Sequence, residues 1–94
     1  MFLRGVIMNK KKKAAALRYE QGYTAPMVTA AGMGYVADKI IERAEENNVP
    51  IVYDEELSSL LNNVDVGDAI PFELYNAVAK VIAYVMDVDK NLNK

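Results

Sequence analysis

The side chains able to do chemistry in this sequence are hydroxyls, carboxylates, amides and amines, because the chain contains neither histidine nor cysteine. Without histidine there is no Ser-His or Cys-His nucleophilic pair, no imidazole metal ligand and no imidazole base near neutral pH. Without cysteine there is no thiolate metal site and no disulfide framework. A metal would have to bind through oxygen, as Ca²⁺ and Mg²⁺ do, yet the acidic stretch VDVGD, Val64 to Asp68, has too few ligands for a calcium loop and reads as a turn. Asp54, Glu55 and Glu56 read as the cap and first turn of a helix rather than as half of a paired-carboxylate site, since no second acidic cluster sits at a spacing that would complete one. Tyr23, Tyr35, Tyr53 and Tyr75 read as core-edge residues. What remains is Lys10 to Lys13, a run of four cations whose plain reading is a solvated lead and whose chemical reading is phosphate contact. The expectation is a protein with no catalytic residues, no metal, no cofactor and no small-molecule substrate.

Charge distribution weighs against the phosphate reading. Residues 1–20 hold six basic groups and one acid, a net of +5, whereas residues 21–94 hold five basic and twelve acidic groups, a net of −7. A polyanion binder usually carries its basic patch on the folded surface, and here the folded part repels phosphate. A small nucleic-acid-associated protein using Lys10–Lys13 therefore stands as the alternative, with nucleic acid disfavoured as a partner. The 94 residues suit one domain, and 52% apolar with 26% charged residues is ordinary for a globular chain. Its longest apolar stretch, Ala77 to Met86, is interrupted by Lys80 and too short to span a bilayer; the opening MFLRGVIM carries Arg4 and no cleavage signature follows it. A cytoplasmic location is the expectation.

Several elements must position whatever site exists. KKKAAALRYE is built of good helix formers, but the alternation of Ala15, Leu17 and Tyr19 against Ala14, Ala16 and Arg18, and the turn QGY, favour a strand. Pro26 to Asn48 reads as a helix with Val36, Ala37, Ile40, Ile41 and Ala44 inward, its first turn clouded by Gly32 and Gly34. VPIVYD, Val49 to Asp54, reads as a strand with Pro50 at its start. Asp54 then caps a second helix burying Leu57, Leu60 and Leu61, and a third helix starts at Pro71 with Leu74, Ala77, Val78, Val81, Ile82 and Val85 inward. Phe72, Tyr75, Ala79 and Met86 widen the apolar arc of that last helix beyond one stripe, so either both sides are covered or part of it faces a partner. The fold class is α/β, a small mixed sheet flanked by helices in a single domain.

In order and spacing, AAALRYEQGYTAPMVTAAGMGYVADKIIERAEENNVPIV followed by LSSLLNNVDVGDAIPFELYNAVAKVIAYV resembles the cytosolic C-terminal domain of the FlhB/YscU/SpaS proteins of bacterial flagellar and type III export machines. The similarity runs from about Ala14 to Val85, and its most specific pieces are Ala25-Pro26, AEENNVPIV and IPFELYNAVAKVIAYV. The resemblance implies a small α/β domain that contacts export substrates, a length-sensing protein or components of a membrane-embedded gate, and whose relatives cleave themselves at Asn-Pro-Thr-His just before the strand matching Ala14 to Tyr19. Here that motif falls on Asn9, Lys10, Lys11 and Lys12. Self-cleavage needs the Asn amide to attack its own carbonyl in a constrained turn, and the proline that biases the turn is gone. The resemblance also implies an apolar patch of Ala25, Pro26, Ala79 and Ile82 where export substrates of the rod and hook type dock; the plain reading of Ala25-Pro26 is a helix start. Any membrane association would come only through the export gate. The expected function is a non-enzymatic, non-cleaving binding module of flagellar export. The expected layout is residues 1–13 as a basic lead, 14–88 as the domain and 89–94 as a polar tail. GVIMN stays open between a short strand and an extension ahead of Met8. With every core stripe read as starting at Ala14, removal of residues 1–9 together with neutralisation of Lys10 to Lys13 is expected to leave the fold intact.

Overall fold

Two strands open the chain: β1, Phe2–Met8, and β2, Lys13–Glu20. They pair antiparallel from Phe2 opposite Glu20 to Met8 opposite Ala14. The computed structural model describes the backbone of residues 2–8, 12–20 and 22–92, and the side chains of residues 12–20 and 22–85. The helix propensity of the alanine run is overridden by this ladder, and the alternation is used on both faces: Ala14 and Ala15, on opposite sides, are each fully buried. The basic lead expected over residues 1–13 is corrected by β1, because residues 2–8 are a strand inside the sheet and Lys13 begins β2.

The helix expected from Pro26 is also corrected. Met27–Met33 is strand β3, antiparallel to β2, and helix α1 covers only Tyr35–Glu46. Its β-branched Val28 and Thr29 suit a strand, and two glycines make the change of direction. Gly34 has φ 59 and ψ −122, a conformation open to glycine alone. A Cβ on Gly32 would overlap the Val36 side chain, so the first turn of α1 sits directly on the end of β3. A bulge at Thr29 shifts the register between Ala16 and Leu17, and the Thr29 hydroxyl donates to the Ala16 carbonyl at 3.3 Å.

The second half follows its expected order. Strand β4, Ile51–Tyr53, pairs parallel with β1, giving a mixed sheet in the order β3-β2-β1-β4. Since β3 and β4 run the same way at opposite edges, α1 is the crossover between them. Helix α2, Glu55–Leu61, is capped by Asp54, whose carboxylate accepts the Leu57 N–H at 2.9 Å. After a 3₁₀ turn at Phe72–Leu74, helix α3 runs Tyr75–Leu92, so most of the expected polar tail continues the helix.

Each face of the sheet has its own core. On one, Ala15, Leu17 and Val28 meet Leu57 and Leu61 of α2, Leu74 of the 3₁₀ turn and Val78 of α3. On the other, Ala14 meets Ala37 and Ala44 of α1, with Ile40, Ile41 and Ile51 packed around them. The alanines let α1 approach closely. Three expected core residues lie outside: Val36, Leu60 and Ala77 are exposed. In α2 the inward position beside Leu57 and Leu61 belongs to fully buried Ser58, whose hydroxyl donates to the Glu55 carbonyl at 3.0 Å.

Candidate functional site

The two described lysines of the run, Lys12 and Lys13, part from each other. Asn9, Lys10 and Lys11, positions matching the cleavage motif, lie outside the described residues; Met8 at the end of β1 pairs with Ala14 of β2. Lys12, just before β2, is in the left-handed region, φ 60, and its carbonyl accepts the Gly34 N–H at 2.8 Å. Its ammonium lies 3.5 Å from Asp38 in the first turn of α1. The Lys13 ammonium donates to the Ser59 hydroxyl at 3.4 Å. Two of the four cations thus engage opposite layers of the folded domain.

The acidic stretch Val64 to Asp68 is a turn with Gly67 at φ 96, and it serves as an extra edge beside β3. Val28 donates to the Asp68 carbonyl at 2.9 Å and accepts from Gly67 at 2.7 Å. Ile70 donates to the Pro26 carbonyl at 2.9 Å. These bonds satisfy part of an otherwise open edge and bring the Ala25-Pro26 segment against the start of α3. Among the described residues no three acidic, histidine or cysteine side chains converge as a metal site.

The four residues of the implied apolar patch are placed unequally. Ala25 is 7% exposed and Pro26 is buried; Ala25 packs in the cluster with Ile70, Leu74 and Val78. Ile82 is half-buried against that same cluster, while Ala79 is exposed. Ala25 and Ile82 therefore meet in one core, and Ala79 lies outward. Its accessible neighbours along α3 and the preceding turn are Phe72, 78% exposed, and Tyr75, 39% exposed, with ring centroids 5.4 Å apart. Positions 72, 75, 79 and 82 recur at helical spacing, one flank round from the core stripe of Leu74, Val78 and Val85. The aromatic members were not expected as site residues, although the breadth of the apolar arc was the signal for them. Two aromatic rings, small Ala79 and the edge of Ile82 make this flank an exposed apolar surface.

Residues 5–85 match the model of the FlhB HrpN YscU SpaS family. The chain is 42% identical over 82 residues to YlqH of Bacillus subtilis strain 168, covering 86% of this chain and 88% of that protein. It is 45% identical over 83 residues to the flagellar biosynthetic protein FlhB of Aquifex aeolicus strain VF5, covering 86% of this chain but 24% of that FlhB. Among solved structures it is similar to the cytoplasmic domain of FlhB from Shewanella putrefaciens, with a TM-score of 0.87 at 32% identity over 95% of this chain and 70% of that one. A crystal structure of the EscU C-terminal domain carrying a mutated proline is similar at a TM-score of 0.80 and 29% identity, over 86% of this chain and 82% of that one. No helix among the described residues is long and apolar enough to cross a membrane.

Proposed function

The chain belongs to the FlhB HrpN YscU SpaS family, and from that premise we propose that it is a non-enzymatic binding module of the flagellar, type III protein export apparatus. It contacts export substrates or export-gate components through the outer flank of α3. The observation that carries this reading is the exposed apolar run Phe72, Tyr75 and Ala79, continuous with Ile82 and anchored over Ala25 and Pro26. Apolar surface of this kind is retained where a partner covers it. Small Ala79, one turn beyond the Phe72–Tyr75 ring pair, leaves room beside Tyr75 for an apolar side chain, and the Pro26 carbonyl accepts the Ile70 N–H, which holds its segment against the α3 start. Rod and hook subunits, the length-control protein and gate components are the partners that family membership favours. Membrane association would come through the gate.

Binding of rod or hook subunits, measured by calorimetry, tests the surface. The Ala79→Asp variant should fold, with stability changed by less than about 1 kcal/mol, because position 79 is exposed and the helix propensity difference is small. Docking would strip water from its carboxylate, so affinity should fall at least about tenfold. Undiminished binding by the folded variant would move the functional surface elsewhere.

The same reading holds that this domain does not cleave itself. Asn9 is followed by Lys10, Lys11 and Lys12, without the proline that would constrain the turn. Intact-mass measurement after days at neutral pH should return one unbroken chain. A fragment beginning at Lys10 in quantitative yield would reverse the assignment.

A further inference from the structure

We propose a second docking surface, on the opposite face of the sheet from α3: the groove between α1 and strands β2 and β3 takes an extended peptide segment with acidic residues at alternate positions and apolar residues between them. The groove holds about 570 Å³. Its apolar lining comes from Val36, Ile40 and Ala44 of α1 and from Ala16 and Ala30 of the strands, small enough on the sheet side to leave the space open. Its charged lining is Arg18, Lys39 and Arg43, and no carboxylate lines it. That is a local reversal of sign, since residues 21–94 carry a net −7. Arg18 bonds to Glu20 in a half-buried pair, with its Nε donating at 3.0 Å, whereas Lys39 lies 3.6 Å from Glu42 in an exposed pair, worth at most about 1 kcal/mol, that yields to a better-placed anion. Arg43 makes no ion pair among the described residues.

Dimensions select the form of the occupant. The α1 lining runs from Val36 to Asn47, roughly 16 Å at 1.5 Å per residue, which about five residues of extended chain would span. Lys39 and Arg43 stand one helical turn apart, about 5–6 Å. Alternate side chains of an extended strand stand about 6.6 Å apart. Two carboxylates at alternate positions therefore reach both cations, while the intervening apolar side chains turn to the alanine floor. Nucleic acid would find the same cations, but the exposed Tyr35 ring, 5.4 Å from the Lys39 ammonium, lies outside the lining and no aromatic ring lines the groove itself to stack a base. The α3 stripe plays no part in this surface, so the two can fail separately.

Fluorescence anisotropy of the full chain with a labelled peptide alternating glutamate and valine tests the proposal, with the lysine-valine peptide and a short oligothymidylate as competitors for the same role. The acidic peptide should bind, more weakly as salt rises, and the lysine peptide should not. Arg43→Glu, at an exposed position, should lower affinity at least about tenfold by removing one attraction and adding a repulsion. Lys80→Glu, the same charge change at an exposed position on α3, and Ala79→Asp should each leave it unchanged. Equal binding of both peptides, preference for the oligonucleotide, full affinity in Arg43→Glu, or equal loss in Lys80→Glu would overturn it.

Discussion

Removal of residues 2–8 is expected to unfold the domain. β1 is paired on both sides, to β2 over seven residue pairs and to β4 over three. With net worth of about 0.5–1.5 kcal/mol per ladder hydrogen bond, its loss is of the order of the whole stability of a domain this size, about 5–14 kcal/mol. Deletion would also leave β4 without any strand neighbour, since β4 pairs only with β1 in the sheet order β3-β2-β1-β4. This reverses the expectation, drawn from the core stripes alone, that residues 1–9 are dispensable. Thermal denaturation followed by circular dichroism checks it: the truncated chain should show no cooperative transition at a temperature where the full chain is folded. A truncated chain melting cooperatively within a few degrees of the parent would show that β1, although interior to the sheet, contributes little to stability.

The second large effect separates two neighbouring residues. Val78→Asp is expected to abolish folding, whereas Ala79→Asp is expected to leave it nearly unchanged. Val78 is fully buried among Leu57, Leu61, Leu74 and Ala25, and the one buried polar side chain among the described residues, Ser58, already donates its hydroxyl to the Glu55 carbonyl. Burying an unpaired charge costs several kcal/mol even after the group neutralises by taking up a proton, and the lost valine packing adds about 1–3 kcal/mol. Ala79 turns about 100° further round the helix and into water. Urea titration of the two variants should give no folded baseline for the first and a midpoint near the parent for the second. A stable Val78→Asp would mean that α3 rotates about its axis, and with it the assignment of the outer stripe. The contrast also protects the binding test, because a loss of partner binding in Ala79→Asp can then be assigned to the surface.

Much of the domain follows from local chemistry that a single chain displays. Asp54 caps α2 because a carboxylate three residues before Leu57 meets a free helical N–H, whatever else the protein does. Pro50 precedes β4 and Pro71 precedes the 3₁₀ turn into α3 because proline is tolerated at the starts of such elements. The alternation across Ala14 to Tyr19 identifies a strand against its helix propensity, and the broad apolar arc of α3 signals a face in excess of the core. The absence of histidine and cysteine narrows the chemistry before any fold is known, and the order of motifs from Ala14 to Val85 carries the family.

Tertiary structure decided what depends on neighbours far along the chain. Phe2–Met8 offers Phe2 and the Val6-Ile7 pair as β signals, separated by Arg4 and Gly5; it is a strand because β2 and β4 satisfy its backbone on either side, and that pairing has no local signature. Met27–Met33 continues the apolar run of α1 and reads as helix until β2 and the Gly67–Ile70 edge claim its hydrogen bonds. The depth of Ala25 and Pro26 was likewise invisible, since it is set by the bond from Ile70 to the Pro26 carbonyl, across more than forty residues. Arg18 stands beside Lys39 and Arg43 only because α1 crosses the sheet above β2. Residue type and short-range spacing set the elements and their caps; the faces that end up covered, and the groove left open between them, come from long-range backbone pairing that no local periodicity encodes.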